Sequence, residues 1–503
     1  MQLKIDNFHG IQPRVHPSLL ADGMAVKAHN CRLKSGKLVP LRQPAAASNV
    51  KIHLEAGLGS IADAKSLYAW KHTDANGNVS IDFLAFPGIV DFAEGNIADD
   101  EYDRLFVTGE TGVAFKDENN KTWPNSPAVY FYSRSGSAIA SKSVCKNPIP
   151  APVVSHDTNA APDMGKTVYY TFFFVSWVDV NGYESGLSPA SFNSSSDIGG
   201  DPNGTGAFLV NAGQTIKFAA MPSIPNDAMK VYVYAAATGS SEASDGIQFF
   251  VERPASMARS SGFSAAFVPE NLGESEPGIE SPPGDLAGMQ FVAGGFYAAF
   301  SKSSPHTVMF SDIGIVTSWP NAYRYDVKDN LVALATTSNS VFALTDGWPW
   351  VLSGTAPESM TVAKLAGPAA CVSPRGVCVY RNSVYYASNE GLMAIVNDAN
   401  AGTVCTNITQ KIFTKDQWLA KNPKSCMMAQ HDGALFLFFN DSSGNPLEGL
   451  VIDLMESADS VTTHDEAASC VCQDNRTDTM YFVRATPSAP VSASDEGEEE
   501  GNE

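Results

Sequence analysis

The chain lacks most of the signatures that announce chemistry. Its eight cysteines, at 31, 145, 371, 378, 405, 426, 470 and 472, contain no C-x-x-C pair, which argues against zinc ribbons and dithiol redox centres. Cys470 and Cys472 alternate along an expected strand and so face one side of it. All eight read as buried free thiols acting as small core hydrophobes, which fits assembly in a reducing cytoplasm. None of the nine histidines stands in H-E-x-x-H or H-x-x-x-H spacing, so neither a metal nor any other cofactor is expected. No G-x-x-x-x-G-K-[ST] loop, strand-linked G-x-G-x-x-G or G-x-S-x-G elbow is present, which disfavours nucleotide and acyl-transfer enzymes. The N-terminal stretch has no continuous apolar run, and its prolines and charges exclude a secretory signal or a membrane span.

Positive charge is also scarce, with 33 Lys and Arg against 54 Asp and Glu and a net charge of -21. Residues 495–503 carry six acids and no base, leaving about -15 for the body. Such a body does not wrap nucleic acid by counterion release, which needs clustered cations. It does allow DNA to pass close by without sticking.

What is present is a large, turn-rich, folded chain. At 503 residues it should hold two or three domains, and 44% hydrophobic residues with 40 glycines and 30 prolines predict full cores joined by many turns. Apolar, often aromatic strands recur at 294–300, 339–344, 382–387, 432–439 and 478–483. Phe296, Phe342, Tyr385, Phe436 and Tyr481 are separated by 46, 43, 51 and 45 residues. That is the period of four-stranded propeller blades. Residues 377–396 spell three strands of a meander with turns at Arg381-Asn382 and Asn389-Glu390-Gly391. Segments 67–70, 81–86, 105–108 and 113–115 add one or two further units, the first turning at Asn76-Gly77.

Between these portions, residues 166–190 read as a long strand, an Asn181-Gly182 turn and a return through Ser188-Pro189. Strands at 215–218, 229–235 and 247–251 follow. The set resembles a fibronectin-type sandwich in which Y-x-V-T-W-x-D-x-x-G-x-E-S-x-x-S leads to I-x-x-Y-R, although Val231-Tyr232-Val233-Tyr234 stands where an arginine often follows the tyrosine. Proline-rich joins at 147–152 and 276–284 bound it. The expected fold is mainly β: a propeller-like body with an inserted fibronectin-type β-sandwich. Its parts are an extended N-terminal arm (1–54), the first part of the propeller (55–149), the sandwich (150–285), the remainder of the propeller (286–485) and a disordered acidic tail (486–503). One short helix is expected near 414–419, where Thr414 and Gln417 have capping-box spacing.

Candidate catalytic groups are thin. Ser311-Asp312 through Ser318-Trp319 resembles the Asp-box of sialidase-type propellers imperfectly, and such boxes stabilise turns. Asp179 and Glu184 lack a motif that would pair them for glycoside hydrolysis. No catalytic centre is expected.

The N-terminal arm carries the strongest signal. Phe8-His9-Gly10-Ile11-Gln12-Pro13-Arg14, Pro17-Ser18-Leu19-Leu20 and Ala28-His29-Asn30-Cys31 through Pro40-Leu41 resemble the F-x-G-I-x-P-R, P-x-L-L and A-x-N-C-x-L-x-x-G-x-L-x-P-L opening of a group of tailed-phage virion proteins. Residues 310–320, 345–360, 371–375 and 386–393 are similar to the tail nozzle, or tail tubular protein B, of short-tailed bacteriophages. The resemblance implies a six-copy ring around the DNA channel below the portal and adaptor, assembled in the bacterial cytoplasm. It also implies tail adaptor or portal-proximal proteins and tail fibre or spike proteins as partners, and transient passage of double-stranded DNA without sequence-specific binding. The alternative is a receptor-binding or glycan-processing propeller of the virion. Apolar Phe8, Ile11, Leu19 and Leu20 sit on an arm that Pro13 and Pro17 keep out of a central strand. Phe8, Ile11, Pro13, Arg14, Leu19 and Leu20 are therefore the candidate assembly contact. An arm folded back to close its own propeller is the competing reading.

Overall fold

In the computed structural model the described residues are 8–484, apart from 35–36, 49, 56, 75, 118–119, 133–137, 158–161, 194–206, 240–245, 339, 368, 399–401 and 456–459. The expectation of a disordered tail at 486–503 falls outside them.

The repeated aromatic strands are the second strands of propeller blades. Counting outward from the axis, blade 3 is Leu286–Val292, Phe296–Ser301, Ser304–Phe310 and Arg324–Asp326. Blade 4 is Leu331–Thr336, Ser340–Thr345, Trp350–Ser353 and Thr361–Lys364. Blade 5 is Val377–Tyr380, Ser383–Ser388, Gly391–Asp398 and Gly402–Asn407, and blade 6 is Met427–His431, Ala434–Asn440, Pro446–Asp453 and Val461–His464. The upstream segments supply two more. Blade 1 has Ser66–Thr73 innermost, then Val79–Phe86, with Lys51–Leu54 added in parallel outside. Blade 2 has Val90–Glu94, Leu105–Gly109, Ala128–Tyr132 and Ile139–Ser143. Blade 7 has only two strands among the described residues, Ala468–Asp474 and Thr479–Arg484.

The second strands of blades 2 to 6 are largely buried on both faces, so they read as apolar runs rather than as alternations. In Ala434–Asn440, Leu435, Leu437 and Phe439 pack toward blade 5, and Phe436 and Phe438 toward blade 7. Each gap between adjacent blades holds its own apolar cluster, including one joining Ala69, Phe83 and Ala85 of blade 1 to Cys470, Cys472 and Val483 of blade 7. That last cluster closes the ring, and it places both cysteines on one side of their strand. Burying one such aromatic contributes about 2–3 kcal/mol. All eight thiols are free and only Cys405 is not fully buried.

The sandwich is inserted between blades 2 and 3. Its sheets are Phe192–Asn193, Val153–His156, Thr215–Phe218, Phe263–Ala266 and, facing them, Phe208–Asn211, Val168–Asp179, Ala228–Gly239, Gln248–Pro254. Phe173, Val175 and Trp177 from the long strand enter the core with Val231 and Val233. The serines of the motif act as a ladder. Ser185, Ser188 and Ser191 each accept the backbone N–H of Trp177, Val175 and Phe173 on Oγ, and donate their own N–H to the carbonyls of the same three residues. A serine every third residue thus sets a strand-like segment against every second residue of a true strand. Gly182 turns the chain at φ +80°, a left-handed conformation that suits glycine.

Buried charge fixes the sandwich to the propeller. Lys146 and Asp179 meet at 2.5 Å with side chains 2% and 0% exposed. Arg104 of blade 2 donates to the Asn181 carbonyl at 2.8 Å and lies over the Tyr183 ring, and Trp177 Nε1 donates to the Asn147 carbonyl at 2.8 Å. Helix Lys415–Leu419 carries the expected capping box. A second helix, Ala255–Ser260, has no side-chain cap bond, which is why no start signal marks it in the sequence.

Candidate assembly site on the propeller rim

The arm is built into the rim. Ile11, 5% exposed, and Phe8 join the cluster between blades 5 and 6, beside Leu392, Ile412 and Trp418. Pro13 accepts from Gln417 Nε2 at 2.9 Å. The Arg14 N–H donates to the Ile412 carbonyl at 2.9 Å and its guanidinium to the Gln410 carbonyl. These four residues are held against the chain's own blades. Leu19 stands 75% exposed and Leu20 is half-buried, next to a turn at Pro17–Leu19 that His16 caps. The candidate contact residues are therefore divided between a packed group and a solvent-facing one.

From there the chain runs along the outer edge of blade 6. Thr462 Oγ1 donates to the Cys31 carbonyl at 2.6 Å, and Asn30 and Thr463 exchange backbone bonds with Thr463 and Ala28. Strands Cys31–Lys34 and Lys37–Pro40 form a hairpin, Leu41 packs against the Phe436 and Phe438 cluster, and Lys51–Leu54 joins blade 1. The arm is thus a strap from blade 6 across blade 7 to blade 1. Residues 23–54 hold six Lys and Arg and no acid, the one sequence signal that could have marked it in a chain of net charge -21.

Behind the strap, beside the two described strands of blade 7, lies a cavity of about 870 Å³ lined by Arg32, His464, Phe436, Phe438, Met480 and Phe482 among others. Arg32 is nearly buried and donates to Asp432 Oδ2 at 2.9 Å and Asp453 Oδ2 at 3.2 Å. Burial pushes the Asp432 carboxyl up, but the hydrogen bond from Lys34 and the Arg32 charge outweigh it and hold it below the ordinary carboxylate range. Burial lowers His464 to about 4, so the ring is neutral at pH 7 and its Nε2–H donates to the Leu437 carbonyl at 3.2 Å. Arg32 Nε and His464 Nδ1 are buried without a partner among the described residues. None of these groups forms a sequence motif, and they come from positions more than 400 residues apart.

The propeller axis is a smaller cavity of about 340 Å³, lined by inner strands. Arg375, entering blade 5, reaches across to donate to the carbonyls of Lys65 and Ser469. Burial raises Asp91, on the same axis, to about 6 against the opposing bond from the Gly288 N–H. The other sequence candidates are structural. Asp312 accepts from Ser318 Oγ at 2.5 Å inside its turn, beneath buried Trp319. Glu184 accepts from Ser176 and Tyr234, and burial raises its carboxyl. Among the described residues no group of three or more His, Cys, Asp or Glu is placed to hold a metal, and no described helix is long and apolar enough to cross a membrane.

No protein-family model and no curated protein matches the chain. Among solved structures, Saccharomyces cerevisiae Sqt1 is 10% identical over 84% of this chain and 87% of that one, with a TM-score of 0.32. BamB from Moraxella catarrhalis is 10% identical over 72% of each chain, with a TM-score of 0.25. Kluyveromyces lactis Hsv2 is 9% identical over 48% of this chain, with a TM-score of 0.23, and the match spans 57% of Hsv2. Likenesses at this level carry no functional argument.

Proposed function

We propose that the chain is a structural subunit of a short-tailed phage tail, a nozzle ring that continues the DNA channel and passes the genome during ejection. The observation that carries this reading is the arm: the stretch that resembles the tail-protein opening is a rim element, with Leu19 left exposed beside it. Two features are consistent with it. The axis of the single propeller is spanned by Arg375, so a duplex would have to pass between copies rather than through one. The net charge of -21 favours sliding over gripping. Native mass spectrometry and negative-stain imaging of the purified protein test the reading. A six-copy ring with an open centre is expected, and a monomer or trimer that cleaves host polysaccharide would overturn it.

One observation favours a receptor contact as a second reading. The outward face of the long sandwich strand carries Tyr170, Phe172 and Phe174, with Tyr232 on the strand beside it, where sandwiches ordinarily show polar residues. Aromatic faces stack on sugars. Binding of host-surface glycan that is lost in Tyr170→Ala would support this reading.

A further inference from the structure

We propose that residues 1–7 of one copy add as a third strand to blade 7 of the next copy in the ring. This rests on the ring reading above and names the acceptor for the arm.

The acceptor is an unfinished blade. Blades 2 to 6 each have four strands, and blade 7 has two among the described residues. Its outer strand, Thr479–Arg484, hydrogen-bonds to Ala468–Asp474 on one side and has no strand partner on the other among the described residues. An unpaired strand edge is a template for strand addition. Beside it lies the 870 Å³ cavity with Phe436, Phe438, Met480 and Phe482 in its walls, room for the side chains of one face of a short strand.

Each terminus of the chain has a stretch outside the described residues that could supply a strand. The C-terminal one, 485–503, has Pro487 and Pro490, a single large aliphatic residue, Val491, and then an acidic run. Proline cannot donate to a ladder, so that sequence is poorly suited to pair with a strand or fill an apolar cavity. The N-terminal one, Met1-Gln2-Leu3-Lys4-Ile5-Asp6-Asn7, alternates apolar and polar residues with period two. At seven residues it is one residue longer than the strand it would pair with.

Geometry separates donor from acceptor. Phe8 and Ile11 are packed on the blade-5 side of blade 6, with Leu435 and Leu437. The cavity opens on the opposite side, with Phe436 and Phe438. The outer edge between them is covered by residues 28–31. A donor on one side of a blade and an acceptor on the other make a head-to-tail contact, which propagates around a ring instead of closing a dimer.

The test uses the full chain carrying Ile5→Cys and Phe482→Cys, oxidised and run without reductant, with each single variant as control. A ladder of covalently linked oligomers is expected. Cross-linking confined to the monomer would overturn donation between copies. A labelled Met1–Asn7 peptide should bind protein lacking residues 1–7, at least about tenfold more weakly when Phe482→Asp is present, with Phe482→Leu restoring capture. No peptide binding, with six-fold particles still formed without residues 1–7, would overturn the inference and leave the ring reading standing. Peptide capture by a protein that forms no ring would overturn the ring and leave the strand acceptor.

Discussion

The sandwich and the arm are both joined to the propeller, by opposite means. The sandwich is pinned by dry, paired charge: Lys146 against Asp179, and Arg104 against the Asn181 carbonyl and the Tyr183 ring. The arm is laid over the rim with half-exposed strands, exposed Lys34 and Leu19, and a large cavity beneath it. A buried pair costs its full desolvation if one partner is lost, so the first junction tolerates no loosening. Among the described residues the second leaves an unpaired edge and open volume, the features a partner can use.

The sharpest way to break this comparison is at the charged junction. Lys146→Ala strands the Asp179 carboxylate and should cost about 3–5 kcal/mol, read as a lowered denaturation midpoint, whereas Lys146→Met with Asp179→Leu should recover most of the loss. An unchanged midpoint in Lys146→Ala would show that the sandwich is not pinned in this way. On the arm, Ile11→Ala removes a core side chain and should cost about 3 kcal/mol. If it costs nothing, the strap is not part of the fold.

Acid should weaken the rim. His464 is held near pKa 4 in the fold against 6.5 unfolded, so its contribution is whole above pH 6.5 and is lost as pH falls toward 4, where the unfolded chain takes up the proton first. The loss is of order 2–3 kcal/mol, and melting curves of His464→Asn between pH 7 and 4 should be flatter than those of the natural chain. Equal slopes would exclude this residue as the source. Deleting residues 487–503 should leave the melting temperature within about 2 °C, because that segment has almost no apolar group to offset its ordering. The smallest effect belongs to Leu19→Ser, below about 0.5 kcal/mol for a surface change. A loss of assembly without loss of stability there would assign Leu19 to an interface.

Much of the fold was legible because its determinants are contiguous. An apolar aromatic strand every 43 to 51 residues marked the second strand of blades 3 to 7; in blades 3 to 6 that strand is buried between two neighbours and so is apolar on both faces. The Asn76-Gly77 and Asn181-Gly182 turns, the serine spacing at 185, 188 and 191, and the Thr414–Gln417 box are local hydrogen-bond chemistry that any reader of the chain can find. The sequence did not disclose that blade 7 has only two strands among the described residues, that Ile11 and Phe8 are used within the chain's own core, or that Arg375 spans the axis. Nor did it pair Lys146 with Asp179 or gather Arg32, Asp432 and His464 at one cavity. Those depend on which surfaces meet when the ring closes. Partners such as Arg32 and Asp453, 421 positions apart, leave no periodicity or spacing in a linear chain, and only packing in three dimensions selects them.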